Sequence, residues 1–468
     1  MADAVPGGSF VVPGSGAARG VVAAATLGSG MVMLDGTVVN VALRTIGGDL
    51  QADLAALQWI TNGYLLSLSA LLLLGGSLGD RFGRRRVFVV GVVWFALASL
   101  ACGLATGPGV LVAARVLQGM GGALLTPGSL AMIQGAFAPA DRGRAIGAWS
   151  GLGGIATAAG PLVGGLVLEH LSWRWVFLLN VPLAVLTVAA ARRWVPESRN
   201  PSGTGRPDLL GAVSAVVALG ALTYALIDWR APTSLYAVAL ALGAGVVFGV
   251  GEGRALRPML PLELFADRVF AAANAMTLLV YAALGAVLVF LVLQLQTVAG
   301  YGPLQAGLAT LPVTVAMLLL AARGGALGAR LGPRLPMSVG PLVMAAGTLL
   351  LLRVGPSTAY IKDVLPGLTV FGLGLALLVA PLTATVLAAA PDERAGVASG
   401  VNNAVARAGS LLAVAALPPV VGLSGGQYAD PAAFGAGYRL AVVACAGLLA
   451  LGGVVSWLAV PAGPFRRG

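Results

Sequence analysis

Charge is scarce in this chain: Asp, Glu, Lys and Arg together make up 10% of its 468 residues. There is one histidine, His170, and the two cysteines, Cys102 and Cys445, lie far apart inside apolar runs. So few soft ligands leave little for zinc chemistry, and two separated thiols do not make a disulfide framework. No Gly-Lys-Ser/Thr phosphate loop occurs, and the glycine-rich strings lie in apolar segments or their loops rather than between a soluble strand and a helix. The chain therefore carries no ATPase of its own, reads as no enzyme, and calls for no cofactor or metal.

What the chain has is apolar length. Hydrophobic residues are 58% of the total and the mean hydropathy is +0.93, a balance no ordinary water-soluble domain requires. About fourteen apolar segments appear, each near the roughly 20 residues that cross a bilayer as helix. The expected spans are 18–42, 56–78, 87–106, 109–134, 145–168, 173–191, 209–229, 234–251, 268–295, 305–327, 336–354, 363–389, 398–422 and 436–460. The fold class is all-α and polytopic, with the lipid bilayer as solvent.

The net charge of +11 reflects arginines in short loops. GDRFGRRR follows the second span, APADRGRA the fourth, ARRWVPESRNPSGTGRPD the sixth, GEGRALRP the eighth and ARLGPRLP the tenth, and the C-terminus ends FRRG. The alternate loops, such as GGDLQADLAAL and LATGPG, carry few or no basic residues. This is topology bias rather than a nucleic-acid surface, and it places both termini and the even-numbered loops in the cytoplasm. The N-terminal MADAVPGGSFVVPGSGAARG has no basic n-region or compact apolar core of a cleaved signal and reads as a tail.

An internal echo supplies the organisation. Gly76-Ser-Leu-Gly79-Asp80-Arg81-Phe-Gly83-Arg84-Arg85 recurs as Gly325-Ala-Leu-Gly328-Ala329-Arg330-Leu-Gly332-Pro-Arg334, at a constant offset of 249 residues. Each copy follows the second span of its half, which fits two related bundles with a site at their interface. The expected division is a tail over 1–17, a six-helix bundle over 18–191, two additional central helices with linkers over 192–267, a second six-helix bundle over 268–460, and a tail over 461–468.

Within the apolar spans the polar residues carry the function. Asp35 lies about two-thirds along the first span, and Arg115 enters the fourth at similar depth. A carboxylate in low dielectric can be pushed toward its neutral form by desolvation and held ionised by a nearby cation, so such a group can exchange a proton. A guanidinium keeps its charge and needs a carboxylate, a helix end or water. An alternation between Arg115 and a proton at Asp35 is a coupling device, provided the two touch. The plainer readings are an aspartate wetted by the outer surface and an arginine snorkelling to the interface.

Gly160, Pro161, Gly164 and Gly165 in the fifth span let helices approach closely and remove one backbone hydrogen bond, as a bend or close-packed pivot would need. Asp80, Arg81, Gly83 and Arg84 in the second loop combine tight turns with an acid among arginines, as a gate across the bundle or as plain inside-positive charge. Candidate cavity residues are Thr37, Asn40, Tyr64, Gln118, Gln294, Asn402 and Asn403, with Gln296 also near the outer mouth. Asp228 and Glu169 are secondary charged candidates, each open to a reading as a helix end; Glu169 and His170 stand beside Ser172-Trp-Arg174-Trp175, as in an interfacial belt.

These motifs together resemble those of the major facilitator superfamily. Gly76-Ser-Leu-Gly-Asp80-Arg-Phe-Gly83-Arg-Arg is similar to its loop motif, Arg115-Val-Leu-Gln118-Gly119-Met-Gly121 to its fourth-helix motif, and Gly160-Pro161-Leu-Val-Gly164-Gly165 to its fifth-helix antiporter motif. Leu34-Asp35-Gly-Thr37-Val-Val-Asn40-Val-Ala-Leu43, with Trp59, Thr61 and Tyr64, resembles the first helices of the fourteen-helix drug:proton antiporter branch. The resemblance covers essentially the whole chain.

It implies two six-helix bundles plus two additional helices, working as a monomer that exports hydrophobic, often cationic, drugs or antibiotics in exchange for protons across a bacterial cytoplasmic membrane. It places Asp35 and Arg115 in coupling, Gly160 and Pro161 in the conformational change, and Asp80 with Arg84 in the cytoplasmic gate. The chain departs from the pattern at Arg44, where the family commonly has proline, and at Ala329, where the second loop copy lacks its acid. A dedicated exporter of one natural product or metabolite is the alternative within transport. A non-transporting sensor or scaffold is the alternative outside it, and nothing resembles the repeated filter of a channel.

Overall fold

The computed structural model describes residues 10–199, 208–255, 258–391 and 394–463. Those residues contain fourteen helices long and apolar enough to cross a membrane. They are α1 (Gly16–Leu50), α2 (Leu54–Phe82), α3 (Arg84–Gly103), α4 (Pro108–Ala136), α5 (Asp141–His170), α6 (Arg174–Trp194), α7 (Leu209–Ile227), α8 (Ser234–Arg254), α9 (Arg268–Thr297), α10 (Pro303–Leu331), α11 (Arg334–Arg353), α12 (Tyr360–Ala388), α13 (Ala395–Val420) and α14 (Pro431–Ala459).

Local chemistry sets many of the boundaries. Ser15, Asp53, Asp208, Asp267 and Asp430 cap the starts of α1, α2, α7, α9 and α14 by accepting from backbone N–H groups that would otherwise have no partner. Pro108, Pro303 and Pro431 sit in first turns, where a missing N–H costs nothing. Gly83 ends α2 with φ 109° and Gly332 ends α10 with φ 83°, a region that side chains disfavour. The two glycines are equivalent positions of the echoed loop, so the repeat is geometric as well as textual.

The packing repeats too. In the first half α1 packs on α5 and α6, α2 and α3 pack on α4, and α3 meets α6. Eight helices later the set recurs: α9 on α13 and α14, α10 and α11 on α12, and α11 on α14. The halves meet chiefly along α2 with α13 and along α5 with α10. The two additional helices are central in sequence and peripheral in space. Helix α7 leans on α2 and α13, while α8 packs mainly on α7 and turns Leu235, Tyr236, Leu240, Leu242 and Val246 outward, as lipid contact requires.

The hydrogen bonds that join the halves gather at one end. Gln58 Nε2 donates to the carbonyls of Val414 and Ala415 at 2.8 and 3.0 Å. Gln296 Nε2 donates to the Val41 carbonyl at 3.0 Å, and Arg44 returns a bond to the Gln296 carbonyl. Tyr428, in the α13–α14 loop, donates to the Ala52 carbonyl at 2.9 Å. Around them one apolar cluster runs across both halves, from Leu43, Ile46 and Leu57 to Phe290, Leu417 and Leu423. This end is sealed. The cavity described below lies toward the other end, where the arginine-rich loops are.

One helix differs from expectation enough to matter. The polar GGDL appears to a reader of hydropathy as loop, yet α1 continues through it to Leu50 and stops only at Gln51, in left-handed conformation. At 1.5 Å per residue, Asp35 then lies about 28 Å from one end of α1 and about 22 Å from the other. It is near the middle of the helix rather than two-thirds along it.

Candidate functional site

Asp35 and Arg115 touch. Arg115 Nη1 lies 2.5 Å from Asp35 Oδ2, with the arginine 1% and the aspartate 0% exposed. Helices α1 and α4 pack against each other and bring the two side chains together. Arg115 is held on every side: Nε donates to the Ile60 carbonyl at 3.1 Å, Nη1 also reaches Gln118 Oε1 at 2.6 Å, and the Tyr64 ring centre is 4.2 Å from the guanidinium carbon. The Phe177 ring lies 5.7 Å away. A cation so placed gains from both ring faces in a dry setting.

The second carboxylate oxygen is satisfied as well. Gln118 Nε2 donates to Asp35 Oδ1 at 2.8 Å and Asn180 Nδ2 donates at 3.3 Å; each amide also reaches Ser99 Oγ. Ser99 on α3 and Asn180 on α6 are therefore members of the cluster that the sequence reading did not single out. A serine and an asparagine in apolar spans are common, and only the packing of α3 and α6 brings them to Asp35. Burying a charge pair is tolerable only with extensive hydrogen bonding of this kind, and removing one partner from a buried pair typically costs about 3–5 kcal/mol.

The Gly160–Gly165 segment of α5 is a close-packed contact on both faces. A Cβ on Gly160 would collide with Thr37 Oγ1, and one on Gly164 would lie 2.8 Å from Val38 Cγ1. One on Gly165 would lie 2.5 Å from Leu304 Cα in the other half. Gly307 packs reciprocally on the Pro161 carbonyl. Thus α5 is wedged between α1, which carries Asp35, and α10 of the opposite bundle. Thr37 itself bonds back to its own helix at the Met33 and Leu34 carbonyls.

In the arginine-rich loop Asp80 pairs with Arg84 at 2.9 Å, within one loop and one half. Arg81 lies over the Phe82 ring. Glu197, from the segment after α6, accepts from the Arg85 backbone N–H at 3.1 Å and lies 3.8 and 3.7 Å from the Arg85 and Arg86 side chains. The linker is thereby tied to the start of α3, a role for Glu197 with no signal in its sequence context.

Other candidates fall elsewhere. Gln294 and Gln296 are both buried at the sealed end in this arrangement, Gln294 donating to the Val354 carbonyl and Gln296 to the Val41 carbonyl of α1. Asp228 ends α7, its backbone closing the last turn with Tyr224 and its side chain half-buried. Glu169 is exposed at the end of α5. Neither belongs to the buried cluster. Asn40 is half-buried on α1, and Tyr64 and Gln118 belong to the Asp35 cluster rather than to a cavity wall.

Asn402 and Asn403 do line a cavity, of about 280 Å³, between Leu65 of α2 and Tyr281, Thr383 and the α13 face Ser399, Arg407, Ser410. Asn402 bonds Asn274 and Thr277 of α9 at 3.2 and 2.8 Å. Arg407 was passed over in the string ASGVNNAVARAG, although its spacing of four residues from Asn403 puts both on one helix face.

Two bundles of repeated packing, sealed at one end around a polar cavity, define a membrane transport protein. Residues 25–414 match the Major Facilitator Superfamily, and the chain belongs to that superfamily. It is 38% identical over 405 residues to the tetracenomycin C resistance and export protein of Streptomyces glaucescens, covering 84% of this chain and 74% of that one. It is 36% identical over 450 residues to the puromycin resistance protein of Streptomyces alboniger, covering 92% and 89%. The methylenomycin A resistance protein of Bacillus subtilis is 32% identical over 445 residues, covering 92% of each. Among solved structures, a POT family peptide transporter superposes with a TM-score of 0.71 at 17% identity, over 97% of this chain and 98% of that one. A D-xylose-proton symporter superposes with a TM-score of 0.66 at 16% identity, over 95% and 98%. These two likenesses describe the fold alone.

Proposed function

We propose that this protein exports hydrophobic small molecules, antibiotics among them, across the bacterial cytoplasmic membrane in exchange for protons, and that it works as a monomer in the bilayer. The observation that carries the reading is the buried Asp35–Arg115 pair, a carboxylate joined to a fixed cation between two helices. Resistance or export in the names of the relatives supports the direction of transport.

With the arginine-rich loops in the cytoplasm, the sealed end faces outward and the cavity is reached from inside. Substrate enters there. After the bundles rock, an outside proton neutralises Asp35, and its pull on Arg115 falls to that of a neutral hydrogen bond. Arg115 keeps Gln118, the Ile60 carbonyl and the Tyr64 ring, so the cation stays while α1 is released. Through Gly160 and Gly164, α1 bears on α5, and through Gly165 α5 bears on α10 of the other bundle. Coupling requires only that protonation favour one arrangement over the other. The Asp80–Arg84 pair, satisfied within its own loop, leaves the cytoplasmic gate undone in this state.

The relatives named for single antibiotics favour a second reading within the same function, a dedicated exporter of one natural product. The test is transport by purified protein in liposomes under an imposed pH gradient, with a panel of lipophilic cations, neutral antibiotics and organic acids. Gradient-driven accumulation that disappears in Asp35→Asn, with substrate binding retained, supports proton-coupled export. Accumulation of none of the panel contradicts broad drug export; unchanged coupling in Asp35→Asn contradicts the assigned site.

A further inference from the structure

Two arginines stand within the membrane-spanning part of this protein in opposite conditions, Arg115 fully buried and Arg407 half-buried. Arg115 has a carboxylate, an amide, a carbonyl and an aromatic ring around it. Arg407, on the cavity face of α13, forms none of the ion pairs or hydrogen bonds found among the described residues, and its Nε is buried without an acceptor. A guanidinium does not deprotonate to escape that position, and it presents a planar fork of donors matched to a carboxylate.

The surroundings sharpen the point. The cavity lining holds Tyr281, Thr383, Ser399, Asn402, Asn403 and Ser410 beside Arg407, with no aspartate or glutamate. Ser410 donates to the Tyr281 carbonyl and Asn403 to the Ser399 carbonyl, and both side chains are neutral, so neither compensates the charge. Asp35 is saturated by its own partners. Leu65, Val386, Leu387 and Ala406 supply the apolar part of the lining. A hydrophobic body carrying an acidic group fits so mixed a lining; a cation would meet Arg407 with no compensating carboxylate.

Resting on the export reading, we infer that Arg407 is a substrate-binding residue and that the transported class is amphiphilic organic anions, hydrophobic molecules with a carboxylate or an acidic phenol. The anionic group pairs with the Arg407 guanidinium, and Asn403 supplies a neighbouring amide one turn away. The charge left open by the protein is closed by the cargo.

Three probes of one ring system test this: pyrenebutyrate, pyrenebutanol and pyrenebutyl-trimethylammonium, titrated against the full-length protein in detergent at mildly alkaline pH. Wild type should bind the carboxylate at least about tenfold more tightly than the alcohol and should bind the ammonium most weakly. Arg407→Gln should erase the preference for the carboxylate while keeping affinity for the alcohol, which also reports that the variant is folded. Arg407→Lys should retain most of the preference. Equal binding of carboxylate and alcohol by wild type, a preference for the ammonium, or a carboxylate preference unchanged in Arg407→Gln would overturn the assignment.

Transport in liposomes keeps this separate from the export reading. Arg407-dependent binding of pyrenebutyrate without gradient-driven movement supports the site and contradicts export. Gradient-driven movement of the ammonium, indifferent to Arg407, supports export and overturns the anion site.

Discussion

Neutralising Asp35 by Asn should destabilise the protein mainly by what it leaves behind. Asparagine can still accept from Gln118 and Asn180, but Arg115, 1% exposed, loses its only carboxylate. An uncompensated buried cation costs about 3–5 kcal/mol, of which the Tyr64 ring, 4.2 Å from the guanidinium carbon, returns about 1 kcal/mol or somewhat more. A net loss of about 2–4 kcal/mol is expected in unfolding measured in detergent. Replacing the cation as well should recover much of it: Asp35→Asn with Arg115→Gln should be more stable than the sum of the single losses by about 1–3 kcal/mol. Both single variants should lose gradient-driven transport, and the double variant should regain stability without regaining coupling. Additive losses would refute the reasoning, since they would mean that the pair contributes nothing as a pair.

The glycine at the α1–α5 contact gives a second test: Gly160→Ala should cost about 1–3 kcal/mol by forcing a Cβ onto Thr37 Oγ1, and Thr37→Ala in the same chain should relieve a large part of it, read by thermal unfolding. At the sealed end, Gln58→Ala strands two carbonyl bonds in a buried setting and should shift the equilibrium toward outward opening by about 1–3 kcal/mol. Arg44→Ala, whose side chain is exposed, should shift it by about 1 kcal/mol or less. Labelling of a cysteine placed at Leu417 by an impermeant maleimide, with Cys102 and Cys445 replaced, reads both, and a larger effect for Arg44 would be the wrong order. Gly83→Ala should be destabilising twice over, through φ 109° and through a Cβ 2.7 Å from Glu197 Oε1, and Glu197→Ala should relieve only the second part.

The sequence announced its helices because apolar length is a one-dimensional property: fourteen runs are legible without knowing what they touch. The loop echo was legible for the same reason, since Gly83 and Gly332 must solve the same backbone problem. Asp35 and Arg115 stood out because ionisable groups are rare in such spans, but their contact depends on how α1 packs on α4, which no spacing encodes. Ser99, Asn180 and Glu197 gave no signal because their chemistry is common and their importance comes from neighbours distant in sequence. Polarity near a helix end does not reveal whether that end is open, so the burial of Gln294 and Gln296 in this arrangement was not legible in the sequence. Arg44, a departure from the family pattern, finds its use there, bonding across the seal to the Gln296 carbonyl.

The central claim is that the proton exchanged for substrate is carried at Asp35, beside Arg115, and acts by favouring one arrangement of the bundles over the other. The most direct measurement is proton release on substrate binding by purified protein in weakly buffered detergent solution, for wild type and Asp35→Asn. The expected result is proton release from wild type on substrate binding, and binding without release by Asp35→Asn. Equal release from both would place the exchanged proton elsewhere and contradict the account.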